Sequence, residues 1–167
     1  WTDLEGSSGV VAHKSRGVQA ESASTHVNDT MRKFGFPDST VKEFTNWIIL
    51  LRPQQLTLGS LVLVCKEPAT AFSAVSTEAF AELRQVTTQV ERGLQDAFTY
   101  DKINYLMLMM VDPHVHFHVV PRYGQERTFE GQKFYDYAWP GPPDFSRGNQ
   151  TKEETNRAIL SHLKAFY

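Results

Sequence analysis

The sequence predicts an α+β domain: an antiparallel sheet with a long helix packed on it and a second helix at the C-terminal end. Three observations carry this reading. Four short runs are rich in strand formers, apolar residues between Ser76 and Phe98 recur at helical spacing, and the elements follow the order β-β-α-β-β-loop-α. The 167 residues suit one domain whose core needs neither a disulfide nor a structural metal.

Residues 1–37 read as a flexible N-terminal tail and residues 38–167 as the folded domain. The first thirty residues are rich in Ser, Gly, Ala and Thr, with no period of 2 or 3.6, and bury too little surface to offset their ordering entropy. A more ordinary sequence starts at Met31, so the preceding residues are expected to be either an upstream extension or an artificial addition. Thr45 to Leu51 is an apolar run closed by Arg52-Pro53, hence a strand. Gln54 to Gly59 makes a turn into a second strand, Ser60 to Lys66, antiparallel to the first.

A helix spans about Ser76 to Phe98, with Ser76 as N-cap and Glu78 in its first turn. Phe80, Leu83, Val86, Val90, Leu94, Ala97 and Phe98 form its apolar stripe, and Gly93 costs about 1 kcal/mol against alanine. Lys102 to Met110 and Val115 to Arg122 are the third and fourth strands, with Asp112-Pro113 at the bend between them. Gly124 to Gly148, rich in aromatics and proline, reads as an irregular packed loop. Thr151 with Glu154 matches a capping box opening the last helix, whose apolar face is Ile159, Leu160, Leu163 and Phe166.

The bulk composition excludes several functions. A net charge of −2 offers no basic footprint for a nucleic acid polymer. No apolar stretch approaches the ~20 residues of a membrane span, and no signal peptide opens the chain, so a cytoplasmic location is expected. The single cysteine, Cys65, lies in an apolar strand and reads as a core residue in a reducing compartment.

Chemistry concentrates in Asp112 to Tyr123, D-P-H-V-H-F-H-V-V-P-R-Y. Alternate residues of a strand share a face, so His114, His116 and His118 stand in a row, about 6.5–7 Å between successive Cα atoms. Val115, Phe117 and Val119 face a core. Three imidazoles side by side suit an anion such as phosphate: one ring attacks or shares protons while its neighbours donate hydrogen bonds. Two other uses remain open at this point. The histidines could be separately satisfied, or His-x-His with Asp112 could hold a metal, although three ligands in a line converge poorly on a tetrahedral ion.

H-V-H-F-H-V-V matches the pattern His-φ-His-φ-His-φ-φ, with φ apolar, and Pro121-Arg122 follows it. With Lys102-Ile103-Asn104-Tyr105, the strand from Leu58 to Val64 and Trp139-Pro140-Gly141-Pro142, the chain resembles the histidine-triad (HIT) family over roughly Thr45 to Pro143. It looks most like the bacterial diadenosine-polyphosphate-hydrolase branch. The resemblance implies a HIT-like fold, a homodimer, and a nucleotide hydrolase or nucleotidyl transferase acting at the α-phosphate. His116 would form a covalent nucleotidyl-enzyme, His118 would hold phosphate oxygens, and His114 would orient His116 or assist the leaving group. Asn104 and Arg52 are the candidate nucleotide-binding residues. Dinucleoside polyphosphates and adenylate esters are the implied substrates, with no resident metal or cofactor beyond magnesium carried by the substrate.

The chain departs from the pattern at three places. Gly59-Ser60 stands where many members carry Gly-His, and Met109-Met110 where many carry Gly-Asn. Arg52 falls where relatives place an acidic or amide residue on the ribose. These departures bear on substrate and rate. They leave open a nucleotide-binding regulatory protein with little turnover, or a metal-binding protein using the same histidines.

Overall fold

The chain is described over residues 27–167 in a computed structural model. The expected tail therefore lies outside the described residues up to position 26. From Val27 to Pro37 the expectation is corrected: this stretch is packed onto the sheet. Helix α1 (Asp29–Lys33) is short, and Asn28 caps it through Oδ1, which accepts from the Met31 amide at 2.9 Å. Asn28 also donates to the Cys65 carbonyl, and Met31 is fully buried. One side-chain cap and one apolar anchor hold a helix too short to persist alone.

Strands β1 (Thr40–Glu43), β2 (Trp47–Leu51), β3 (Leu61–Cys65), β4 (Lys102–Leu106) and β5 (His116–Arg122) form one antiparallel sheet in the order β1-β2-β3-β5-β4. β1 was not predicted, because T-V-K-E has too few apolar residues to stand out; it is an edge strand on Leu50, Ile49 and Ile48 of β2. β4 ends at Leu106, opposite His118, not at Met110. Residues 107–113 leave the sheet as a loop in which Met109 takes a left-handed φ of 52°.

Every residue of β2 and β3 is buried, so both sheet faces are covered. Ile49, Leu51, Leu61, Leu63, Cys65 and Val119 belong to the larger core, under helices α2 (Thr77–Phe98) and α3 (Glu153–Lys164). Ile48, Leu50, Val62 and Val64 lie on the other face with Met31 and Phe34. Cys65 is part of the large core, and burial pushes its thiol up to about 11, so it stays protonated and inert.

α2 begins as expected, with Ser76 Oγ accepting from the Ala79 amide. Its buried line is Ala79, Val86, Val90, Gly93, Leu94 and Phe98, whereas Phe80 points outward against Phe72. Gly93 is a packing requirement. A Cβ there would lie 2.4 Å from the Tyr167 ring. α3 corrects the expected capping box: Lys152 is the N-cap residue without a side-chain bond, and Glu153 and Glu154 offset the helix dipole instead. Phe166 is 39% exposed, leaving Ile159, Leu160 and Leu163 as the buried face. The expected irregular loop contains a hairpin of β6 (Arg127–Phe129) and β7 (Gln132–Phe134).

Candidate active site

The site is built from the middle of β5. His116 pairs with Val64 and His118 with Val62, which places both rings on the face covered by α1. Their centroids are 5.2 Å apart in an edge-on arrangement, and Phe34 lies 6.2 Å from His116 and 5.8 Å from His118. Both histidines are buried, at 2% and 6% exposed. The period-2 alternation therefore holds for these two.

His114 differs. It precedes β5 in a bend, and its ring turns to Thr30, with Nδ1 3.3 Å from the threonine hydroxyl. The expected row of three imidazoles is two imidazoles and a carbonyl: His116 Nδ1 lies 2.6 Å from the His114 backbone oxygen. A carbonyl only accepts, so Nδ1 carries the proton and Nε2 the lone pair. Backbone geometry thus selects the tautomer a nucleophile requires.

His118 is held neutral. Burial is the main cause; Arg52 adds to it, His116 and Lys33 push the same way more weakly, Asp112 opposes them, and the net result is a pKa lowered to about 4. Its Nδ1 is buried without a hydrogen-bond partner. A buried imidazole nitrogen without a partner leaves hydrogen-bonding capacity unused next to His116.

Both histidines line a cavity of about 210 Å³ with Lys33, Phe34, Arg52, Phe145, Asp112 and the loop Leu108 to Val111. Phe145 stacks edge-on against His118 at 5.0 Å and lies under the Arg52 guanidinium at 5.5 Å. Lys33 pairs with Asp112 at 2.9 Å, tying α1 to the loop after β4. At the rim, Met110 and Val111 are 85% and 81% exposed. Larger grooves occur elsewhere, one of about 740 Å³ beside Leu51 and Leu160 and one of about 600 Å³ beside Trp139, but neither is lined by a histidine.

The structure brings His116, His118 and Arg52 together and holds His114 alongside by its backbone. It does not bring Asn104 to the cavity. Asn104 Oδ1 instead accepts from Arg122 Nη1 at 2.8 Å, in a buried network where Arg122 also grips Asp136 (2.7 and 3.0 Å) and the Gly141 carbonyl. The Ser60 hydroxyl is taken up locally by Thr57, donating to its carbonyl at 2.9 Å and accepting from its amide at 3.0 Å. Among the described residues, no three His, Cys, Asp or Glu side chains gather as a metal site would require. Sequence reasoning missed Lys33, Phe34 and Phe145. The Asn28 cap before Met31 was the available sign for the first two; Phe145 had none, because only folding of residues 124–148 brings it to His118.

Comparison with known proteins agrees with this geometry. The HIT domain family model matches residues 37–125, just over half of the chain. The chain belongs to the histidine-triad family. A HIT protein from Sinorhizobium meliloti 1021 superposes with a TM-score of 0.67 at 20% identity, over 84% of this chain and 96% of that one. A histidine-triad protein from Bradyrhizobium japonicum gives 0.64 at 18% identity, over 83% and 95%. One from Marinobacter aquaeolei VT8 gives 0.62 at 22% identity, over 77% and 88%. At these identities the likeness is one of fold. No curated protein matched the sequence. No helix among the described residues is long and apolar enough to cross a membrane.

Proposed function

We propose that this chain is a nucleotide hydrolase or nucleotidyl transferase whose nucleophile is His116 Nε2, acting on dinucleoside polyphosphates or adenylate esters. The observation that carries the reading is the 2.6 Å contact from His116 Nδ1 to the His114 carbonyl, which leaves the lone pair on Nε2 in a ring lining the cavity. Nε2 attacks the α-phosphorus; the N–P bond forms as the bond to the leaving oxygen or nitrogen breaks, and that atom takes up a proton. Water or another acceptor then attacks phosphorus from the opposite side. The N–P bond breaks, the nucleotide leaves, and neutral His116 is restored.

The carbonyl of His114 steadies the imidazolium by accepting from Nδ1 throughout. His118 uses its open hydrogen-bonding capacity on phosphate oxygens, where developing negative charge favours its protonated form. The cavity is below the ~300–1,000 Å³ of a site that encloses a whole ligand. It therefore takes the phosphoryl end, while the base extends past Met110 and Val111. A homodimer is part of this proposal.

One observation favours a second reading, a nucleotide-binding protein with little turnover. The Ser60 side chain is closed on Thr57 and shares no proton with the histidines. Intact-mass measurement after rapid quenching with diadenosine tetraphosphate or an adenylate ester tests the first reading. An adenylyl adduct lost in His116→Ala is expected. Tight AMP binding without adduct or turnover would replace the first reading by the second.

A further inference from the structure

The carbonyl that fixes the His116 tautomer lies outside the regular sheet. Pairing of β5 with β3 begins at His116↔Val64, and His114 sits two residues earlier in a bend. An oxygen 2.6 Å from His116 Nδ1 therefore depends on whatever holds residue 114 in place. One hold is on the far side of the same peptide. The Val115 amide donates to the Ala69 carbonyl at 3.0 Å, and in a planar trans peptide this aims the His114 oxygen the opposite way. That bond sets the tilt of the peptide but leaves the His114 Cα free to shift.

The other hold is Thr30. Its hydroxyl lies 3.3 Å from His114 Nδ1, a contact across 84 positions of sequence, and among the described residues it has no other partner. Thr30 is 1% exposed, so its hydroxyl requires a partner. A hydroxyl both donates and accepts, and so meets the His114 Nδ1 in either tautomer. The helix that carries it is firmly seated. Asn28 donates to the Cys65 carbonyl at 3.2 Å, while the Cys65 amide donates to the Val115 carbonyl at 2.9 Å. One residue of β3 thus ties down both the start of α1 and the peptide next to His114. Met31, fully buried against the sheet, adds an apolar anchor beside Thr30.

We propose that Thr30 is a positioning residue of this site: its hydroxyl holds the His114 ring, and through it the carbonyl that keeps the His116 proton on Nδ1. This rests on the reading of His116 as nucleophile. Thr30 does not line the cavity and acts through His114 alone. His116 is 2% exposed, so a drifting carbonyl has a chemical consequence. Either Nδ1–H becomes an unpaired buried donor, or the proton moves to Nε2 and occupies the lone pair that attacks phosphorus.

Two readouts on the full chain test this, comparing wild type with Thr30→Val and Thr30→Ser. Valine keeps the shape and deletes the hydroxyl; serine keeps the hydroxyl. Nitrogen-15 NMR of the imidazoles at about pH 8.5, where histidine is neutral, reports which His116 nitrogen carries the proton. Wild type and Thr30→Ser are expected to show it on Nδ1, and Thr30→Val to show it shared with Nε2. Adenylyl adduct formation from diadenosine tetraphosphate is expected to slow roughly two- to tenfold in Thr30→Val, the worth of one neutral hydrogen bond, with AMP affinity unchanged. His114→Phe keeps a ring and removes Nδ1, and adding Thr30→Val to it is expected to change nothing more. A Thr30→Val protein with the wild-type tautomer overturns the inference whatever its rate, as does a shifted tautomer with an unchanged rate. Equal losses in the valine and serine variants, or additive losses in the double variant, overturn it too. If circular dichroism shows that Thr30→Val does not fold, His114→Phe decides by the same tautomer signal. If wild type forms no adduct, the nucleotide reading falls, and the tautomer series still decides on Thr30.

Discussion

Lowering the pH should unfold this protein partly through His118, and the size of the effect follows from the site. In the unfolded chain the ring titrates near 6.5; in the folded chain burial, with Arg52 beside it, brings it down to about 4. Between those values the unfolded chain binds a proton that the folded chain refuses. Stability contributed by the neutral ring is therefore complete above pH 6.5, is lost as pH falls toward 4, and declines no further below that. At 1.36 kcal/mol per pH unit the gap sets a ceiling near 3 kcal/mol. Water reaching the ring through the cavity mouth screens part of it, so about 2 kcal/mol is expected. Urea unfolding of wild type and His118→Gln at pH 7.5 and pH 4.5, at one ionic strength, isolates the effect because other titrating groups cancel between the two proteins. Wild type should lose about 2 kcal/mol more than the variant on acidification. Equal losses would show that the ring is solvated in the folded state and would remove the argument that its hydrogen-bonding capacity is unused.

Three further outcomes are expected. Replacing His116 with alanine should abolish adduct formation while leaving the circular dichroism spectrum unchanged; turnover surviving at more than about a thousandth of wild type would place the nucleophile elsewhere. Asp136→Ala should cost about 3–5 kcal/mol in urea unfolding, since it strands the 4%-exposed Arg122; a loss below about 1 kcal/mol would mean that water solvates that cation. Phe34→Ala should open the cavity and move the His118 titration, followed by proton NMR of the ring, upward from about 4 toward 6.5. An unmoved titration would show that α1 does not desolvate the site.

The shared face of His116 and His118 was legible because strand alternation leaves that pattern in any chain, whereas His114, two residues earlier, precedes the strand and turns to Thr30. The same holds for Ser76 and the stripe behind it, since capping and helical period are local properties. Local rules also account for the errors. K-I-N-Y-L-M-L-M-M reads as one strand by propensity, yet pairing with β5 stops at Leu106↔His118 and the remaining residues become the cavity rim. Thr151 and Glu154 fit a capping box in spacing, but the helix starts two residues later. Asn104 shares the sheet with the histidines and is claimed by Arg122, a partner 18 positions away.

Pattern and propensity thus sufficed for the fold class, the strand face shared by His116 and His118, and the family motif, because each depends on neighbours within a few residues. The surroundings of those histidines depend on contacts between distant segments. The packing of α1 over the sheet, the turning of His114 toward Thr30, the neutral state of His118 and the placing of Arg52 on the cavity come from residues 27–37, 52 and 145 meeting across the β5 face. Burial and pairing are properties of a packed volume. A linear chain carries them only once it is folded.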